Sequence, residues 1–438
     1  MKRFLIVALG LLVLVAMSAS AQKTTLNFLY YADATSAGYA EDMEFWEKFK
    51  TANPDIDLQM EILFSQAYHE KLGAYIAAGQ VPDVMYMWPT SRDSSLLLHD
   101  KKLVKDLKTV LSKEFLANFV APALDVKQQS SNQLSELPQS FTYTTTMYTN
   151  KKLLEDNKIA LPTTYAQMKA MVGKLRIKGV QTLLLPNGDQ WPAQSCMFST
   201  ISGRLLGDAW TDQVKQGKVK FTDAAYVNAL TFFRNMYTDG VMNWQNVQMG
   251  YGDGPGIFAS GKAAFFVDGD WRVGAYLVDK TTGKALIDPA AQATDFALLN
   301  FPAIPGEKFP GTVSAIAGTG LGISSAIPKG SDKEKAAVKL LEWYYGPEMQ
   351  QMKLETGAFI PTRKGVTSEK LEPLTIMLPK YYATIKSTCY VIDGVLDPSV
   401  FNVLNAGLQA LGLGAKTPAA VAAEMQKPMN EWIAKQKK

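Results

Sequence analysis

Along the first third of the chain the apolar positions recur in two alternating periods. Leu26–Tyr31 is a mostly apolar run of strand length, followed by the polar turn Asp33–Gly38. From Tyr39 to Lys50 the period changes. Met43, Trp46 and Phe49 return at three-residue spacing, which predicts an amphipathic helix stopped by Asn53-Pro54-Asp55. Ile56, Leu58, Met60 and Ile62 then alternate with Asp57, Gln59 and Glu61, the period of a half-buried strand. A second helix over Tyr68–Ala78, closed by Gly79, and a third strand over Val81–Met87 repeat the unit. Strand–helix–strand repeated predicts an α/β protein with a parallel sheet. Ligands of such sheets sit beyond the carboxyl ends of the strands. That singles out Asp33 after the first strand, Phe64–Tyr68 after the second, and Trp88 with Arg92 and Asp93 after the third.

The pattern changes at Leu137–Tyr148, where Phe141-Thr-Tyr-Thr-Thr-Thr-Met-Tyr148 is extended and threonine-rich, as suits a crossing between two lobes. The proline-rich Phe301–Gly306 and the stretch Gly357–Arg363 are the second and third expected crossings. Between and after them the pattern predicts strands at Thr182–Leu185 and Asp295–Leu299, and helices over Trp191–Leu206, Asp223–Thr238, Asp332–Tyr345, Leu374–Lys386, Pro398–Leu411 and Pro418–Lys435. The most informative stretch is Gly261–Gly274. A buried strand over Ala263–Val267 is delivered by Gly269 to Asp270, Trp271 and Arg272. An indole beside a carboxylate at a strand end suits a polyol: a pyranose face lies on the ring while Asp270 accepts hydroxyl hydrogen bonds. The alternative is that Trp271 is core and Asp270 caps the next helix.

Composition narrows the setting. Met1-Lys2-Arg3, the apolar run Phe4–Met17 and Ser18-Ala19-Ser20-Ala21 have the form of a secretory signal peptide over residues 1–21, with the mature chain expected from Gln22. The apolar run is too short to span a bilayer as a helix. With Cys196 and Cys389 as the only cysteines, no lipid-anchor cysteine follows the cleavage point, so a periplasmic or secreted location is expected. Two free buried thiols are the simpler state for that pair, a single disulfide the other. Lysines and arginines number 45 against 41 acids, a balance that argues against nucleic acid or a polybasic membrane segment as partner.

Catalytic and cofactor signatures fail one by one. The two histidines, His69 and His99, are read as surface residues, and no His-Glu-x-x-His or Cys-x-x-Cys is present, so no metal or other cofactor is expected. Gly256–Lys262 has the spacing of a phosphate loop, but Ala263 stands where Ser or Thr would bind Mg²⁺. Its order is also reversed: helix, glycine cap, strand. Gly318-x-Gly320-x-Gly322 lacks dinucleotide spacing. What remains is aromatics beside polar turns: Tyr31 with Asp33, Trp88 with Arg92 and Asp93, Asp189 with Trp191, Trp244 with Tyr251, Asp270 with Trp271. Together they favour a carbohydrate cleft. A secreted glycosidase or lyase is the reading from another class. A non-sugar solute is the third, with Arg92, Arg272 or Arg363 available to an anion.

Several motifs in order carry a family resemblance: Phe49-Lys50-x-x-Asn53-Pro54-Asp55-Ile56, Ala77-Ala78-Gly79-Gln80-Val81-Pro82-Asp83-Val84, Tyr148-Thr149-Asn150-Lys151, Gly261-Lys262-Ala263-Ala264 through Gly269-Asp270-Trp271, and Gly320–Ser324 before a helix ending Glu342-Trp343. Over nearly the whole mature chain the sequence resembles the extracellular solute-binding proteins of carbohydrate importers driven by ATP, the maltose-binding protein family. The resemblance implies a non-enzymatic, two-lobed periplasmic-binding-protein fold with three hinge crossings. On the expected crossings, lobe 1 is 22–137 with 302–356 and lobe 2 is 138–301 with 357–438. It also implies a monomer that takes a mono- or oligosaccharide and delivers it to a membrane permease. Asp33 matches a sugar-contacting acid, Trp88 and Arg92 a Trp-x-x-x-Arg pair, and Trp271 the stacking aromatic. Thr142 stands about where maltose-binding protein has a ligand-contacting glutamate, and Thr319 departs from the Gly-Gly-Trp-Gly of many relatives.

Overall fold

The computed structural model describes residues 23–36, 38–87, 98, 101–124, 133–280, 282–317, 319–357 and 360–436. The expected signal segment and Trp88, Arg92 and His99 lie outside the described residues. Within them run the strands β1 (Thr24–Tyr31), β2 (Ile56–Leu63), β3 (Val84–Met87), β4 (Leu137–Pro138), β5 (Phe141–Tyr143), β6 (Thr146–Asn150), β7 (Gln181–Leu184), β8 (Ala263–Asp268), β9 (Phe296–Leu299), β10 (Thr312–Ala317), β11 (Gly320–Ile323) and β12 (Ser387–Cys389). They form a five-stranded sheet β2-β1-β3-β11-β4, a four-stranded sheet β7-β8-β6-β9 and a three-stranded sheet β12-β10-β5.

The first sheet is the α/β unit expected from the opening periods. β1 lies parallel to β2, from Thr24 opposite Ile56 to Tyr31 opposite Leu63, and parallel to β3. Helix Tyr39–Ala52 buries Phe45, Trp46 and Phe49 in a core shared with Phe28, Leu321 and Tyr344. β11 returns antiparallel between β3 and β4. Here glycine is needed for proximity: a Cβ on Gly320 would overlap the Leu137 carbonyl, and one on Gly322 the Met87 sulfur. The closely spaced glycines therefore serve strand packing.

In the second sheet β8 runs parallel to β7 and antiparallel to β6. Phe265 and Val267 enter one core and Phe266 another, which explains why this strand is apolar at successive positions. Gly261, at φ +72°, closes the helix Gly254–Ala259 and leads into β8, the order that excludes a phosphate loop. The helices Ala224–Thr238, Pro398–Gly412 and Pro418–Gln436 add Phe233, Leu404 and Met425 to the larger core.

Strands from three distant parts of the chain form the third sheet. β10 pairs antiparallel with β5 and parallel with β12. The stretch expected as the second crossing, Phe301–Gly306, leads into β10. Phe301 and Ile304 are buried in the core of the second sheet, and the strand that leads back toward the first is β10. Prolines at 302 and 305 bend the chain, whereas Thr312-Val-Ser-Ala-Ile-Ala317 has the backbone donors to pair. At the third expected crossing Pro361 bridges to Ser140 and Arg363 to Phe119.

Buried hydroxyls knit this region together. Ser314 Oγ lies 2.6 Å from Thr144 Oγ1 and 2.9 Å from Thr145 Oγ1, and Thr200 Oγ1 donates to Thr145 Oγ1 at 2.8 Å. Each group finds the partner that burial demands. Cys196 and Cys389 are both free and buried. His69, expected at the surface, is 8 % exposed, between the rings of Tyr31 at 6.4 Å and Tyr68 at 5.8 Å. The helix Ser65–Ala77 carries that residue on its buried side with Tyr68, Leu72 and Ile76.

Candidate functional site

β8 ends on the buried carboxylate of Asp268, and Gly269 turns the chain into the 3₁₀ segment Asp270–Tyr276. Any side chain at 269 would collide with the ring of Trp271. Asp268 accepts from Gly269 N at 2.7 Å, Tyr251 Oη at 3.0 Å and Arg272 Nε at 2.6 Å. The Arg272 guanidinium also lies over the Tyr251 ring, 4.1 Å from its centre. Arg272 is thus held from two sides inside the protein and is not available as an outward-facing anion ligand.

Around the clamped Tyr251 stand the two tryptophans expected from the sequence. Trp271 Nε1 donates to Tyr251 Oη at 2.5 Å. The Trp191 ring lies 4.6 Å from Tyr251 and 6.2 Å from Trp271. Both tryptophans are half-buried, so each retains accessible indole surface while its orientation is fixed.

Asp270, 5 % exposed, turns its Oδ2 toward protein donors: Tyr143 N at 3.0 Å and Tyr382 Oη at 2.8 Å. Burial pushes its carboxyl up to about 7, against these hydrogen bonds and with Asp268 adding to the rise. The Tyr143 and Tyr382 rings lie 4.6 Å apart, and both are half-buried. One carboxylate therefore ties the end of β8 to crossing strand β5 and to the end of the helix Pro373–Tyr382. Neither tyrosine stands out in the sequence, because nothing local marks the contact across 127 and 112 residues.

At the carboxyl ends of the first sheet Tyr31 stacks on Tyr86, with centres 5.5 Å apart and planes at 23°, and touches Phe64 at 5.3 Å. Half-buried Asp33 follows, its Oδ1 accepting from Thr35 N at 2.8 Å and Oγ1 at 2.6 Å. Two other expected residues lie apart. Arg363 donates to the Tyr345 carbonyl at 3.0 Å and lies over Phe115 and Phe119. Trp244, 64 % exposed, lines a groove with Val172, Arg176 and Tyr237 and pairs with no other ring among the described residues. Within those residues no group of three or more His, Cys, Asp or Glu is placed to hold a metal.

The same architecture recurs in solved structures. A chitin oligosaccharide binding protein superposes with a TM-score of 0.81 at 22 % identity, over 94 % of this chain and 100 % of its own. A protein from a study of xylan utilization by Caldanaerobius polysaccharolyticus gives 0.80 at 20 %, over 92 % and 99 %. The maltose-bound MalE3 of T. maritima gives 0.74 at 18 %, over 93 % and 99 %. At these identities the likeness shows the fold, two α/β lobes of the periplasmic solute-binding type. No curated protein matches the chain in sequence. The bacterial extracellular solute-binding protein family does match, over residues 31–351, and the chain belongs to that family.

Proposed function

We propose that this protein captures a mono- or oligosaccharide between its two lobes outside the cytoplasmic membrane and delivers it to the permease of an ATP-driven importer, without a catalytic step. The observation that carries this reading is the aromatic set Trp191, Tyr251 and Trp271, locked by Asp268 and Arg272 at the carboxyl end of β8. Half-buried indoles with fixed orientation offer flat apolar faces to pyranose rings. Across from them we assign Tyr31 and Asp33 to the lobe built on the first sheet, with Trp88 and Arg92 after β3 as further ligand contacts. Asp270 holds Tyr143 and Tyr382 in place at the floor between the lobes. The lobe boundaries follow the crossings, with the second set at β10 rather than at residue 302. Solved relatives named for chitin oligosaccharide and maltose support the ligand class. An anionic solute has less support, since Arg272 and Arg363 are engaged within the protein.

Isothermal titration of the mature chain against a panel of sugars tests the reading. Heat from at least one sugar is expected. Trp271→Ala should weaken that binding by about 1–3 kcal/mol, the scale of a lost aromatic contact, with the fold intact by circular dichroism. Silence from every sugar together with tight binding of an amino acid, phosphate ester or polyamine overturns the sugar assignment.

A further inference from the structure

We propose that the face around Trp244 is a contact site for an anionic phospholipid surface, separate from the aromatic set and independent of the sugar assignment. Ile177 is 80 % exposed and Trp244 64 %, the two most exposed large apolar side chains among the described residues. Trp244 and Arg176, the neighbour of Ile177, line the same groove of about 420 Å³ with Val172, Val180 and Tyr237. Water is an unfavourable neighbour for both side chains, and among the described residues both stay largely uncovered.

The charge around this apolar pair is one-sided. Lys174 and Arg176 stand in the last turn of the helix Tyr165–Arg176, Lys178 follows it, and Lys262 precedes β8 where Gln181 N binds its carbonyl. All four are exposed and none forms an ion pair among the described residues. Residues 166–188, 240–252 and 254–267 contain no Asp or Glu, in a chain whose charges otherwise nearly balance. The nearest acid in sequence, Asp239, is held by Lys169 at 2.7 Å and Tyr165 Oη at 2.9 Å. Cations suit a helix carboxyl end on their own account, but that does not explain an uncovered Trp and Ile beside them. A tryptophan sharing a groove with an arginine, and a branched aliphatic between Arg176 and Lys178, match the boundary of an anionic bilayer: the indole sits at headgroup depth, the aliphatic chain below it, and the cations meet the phosphates. Among the described residues no helix is long and apolar enough to cross a membrane, so this would be a surface contact.

Flotation of the full mature chain with phosphatidylcholine vesicles, with and without about one third phosphatidylglycerol, tests the proposal. Co-flotation is expected with the anionic vesicles only. It should fall about tenfold in Lys174→Gln/Arg176→Gln/Lys178→Gln and in about 0.5 M salt. It should also fall in Ile177→Ser/Trp244→Ser, at unchanged circular dichroism. The charge variant should titrate sugar as the parent does. Absence of flotation with anionic vesicles at low salt overturns the proposal. So does unchanged flotation of the Ile177→Ser/Trp244→Ser variant, which would leave only diffuse attraction of lysines.

Discussion

At Asp270, burial and hydrogen bonding pull in opposite directions, and burial wins: the carboxyl rises from 3.8 to about 7. Glu136, also buried, rises from 4.5 to about 8 for the same reason. In both, the folded state holds the proton more firmly than the unfolded chain. They weigh nothing against folding below their unfolded values and increasingly against it as pH rises through about 7 and 8. Thermal unfolding should therefore begin at lower temperature at about pH 9 than at about pH 5, each carboxyl contributing on the order of 1 kcal/mol or more. Asp270→Asn and Glu136→Gln should each flatten that dependence, and an unchanged slope in both would assign it to other groups. The sequence makes Asp270 and Trp271 visible, since an acid and an indole follow a strand and a glycine. It does not show which way the carboxylate turns. That depends on Tyr143 and Tyr382, brought in by strand pairing and helix placement far along the chain.

Among the elements, those with a strong local period were legible and those defined by their partners were not. Helix Tyr39–Ala52, the alternating β2 and the doubly buried β8 each carry their own burial pattern in sequence. β5 and β12 are three residues long and exist because β10 lies between them. A three-residue strand paired on one side has too few positions for a period to show. Glycines divide in the same way. Gly320 is fixed by the close approach of β4, and Gly320→Ala should cost about 1–3 kcal/mol as overpacking against backbone. Gly173 sits inside the helix Tyr165–Arg176 with nothing near its would-be Cβ, so Gly173→Ala should stabilise by about 0.5–1 kcal/mol. Urea denaturation of the pair checks both signs at once.

At the scale of the whole molecule, an ion pair reaches from one main sheet's elements to the other's. Lys280, just beyond the Asp270–Tyr276 segment, reaches Glu41 in the first turn of the helix over the first sheet, at 3.2 Å. Lys280 is largely exposed, so the pair is worth about 0–1 kcal/mol. Lys280→Ala should speed ligand release by less than about fivefold in stopped-flow measurements, an effect that fades with added salt. A much larger change would make this pair a determinant of closure. The three-stranded sheet has a further consequence. β5, β10 and β12 are hydrogen-bonded edge to edge, and Ser314 on the middle strand shares hydroxyl contacts with Thr144, Thr145 and Thr200. Shear within the plane of such a ribbon would break its hydrogen-bond ladder, whereas bending across its thin direction would leave the ladder paired. The rings carried by the two sheets would then meet along a single arc, so that alignment of the jaws is inherited from the hinge rather than found anew by each ligand.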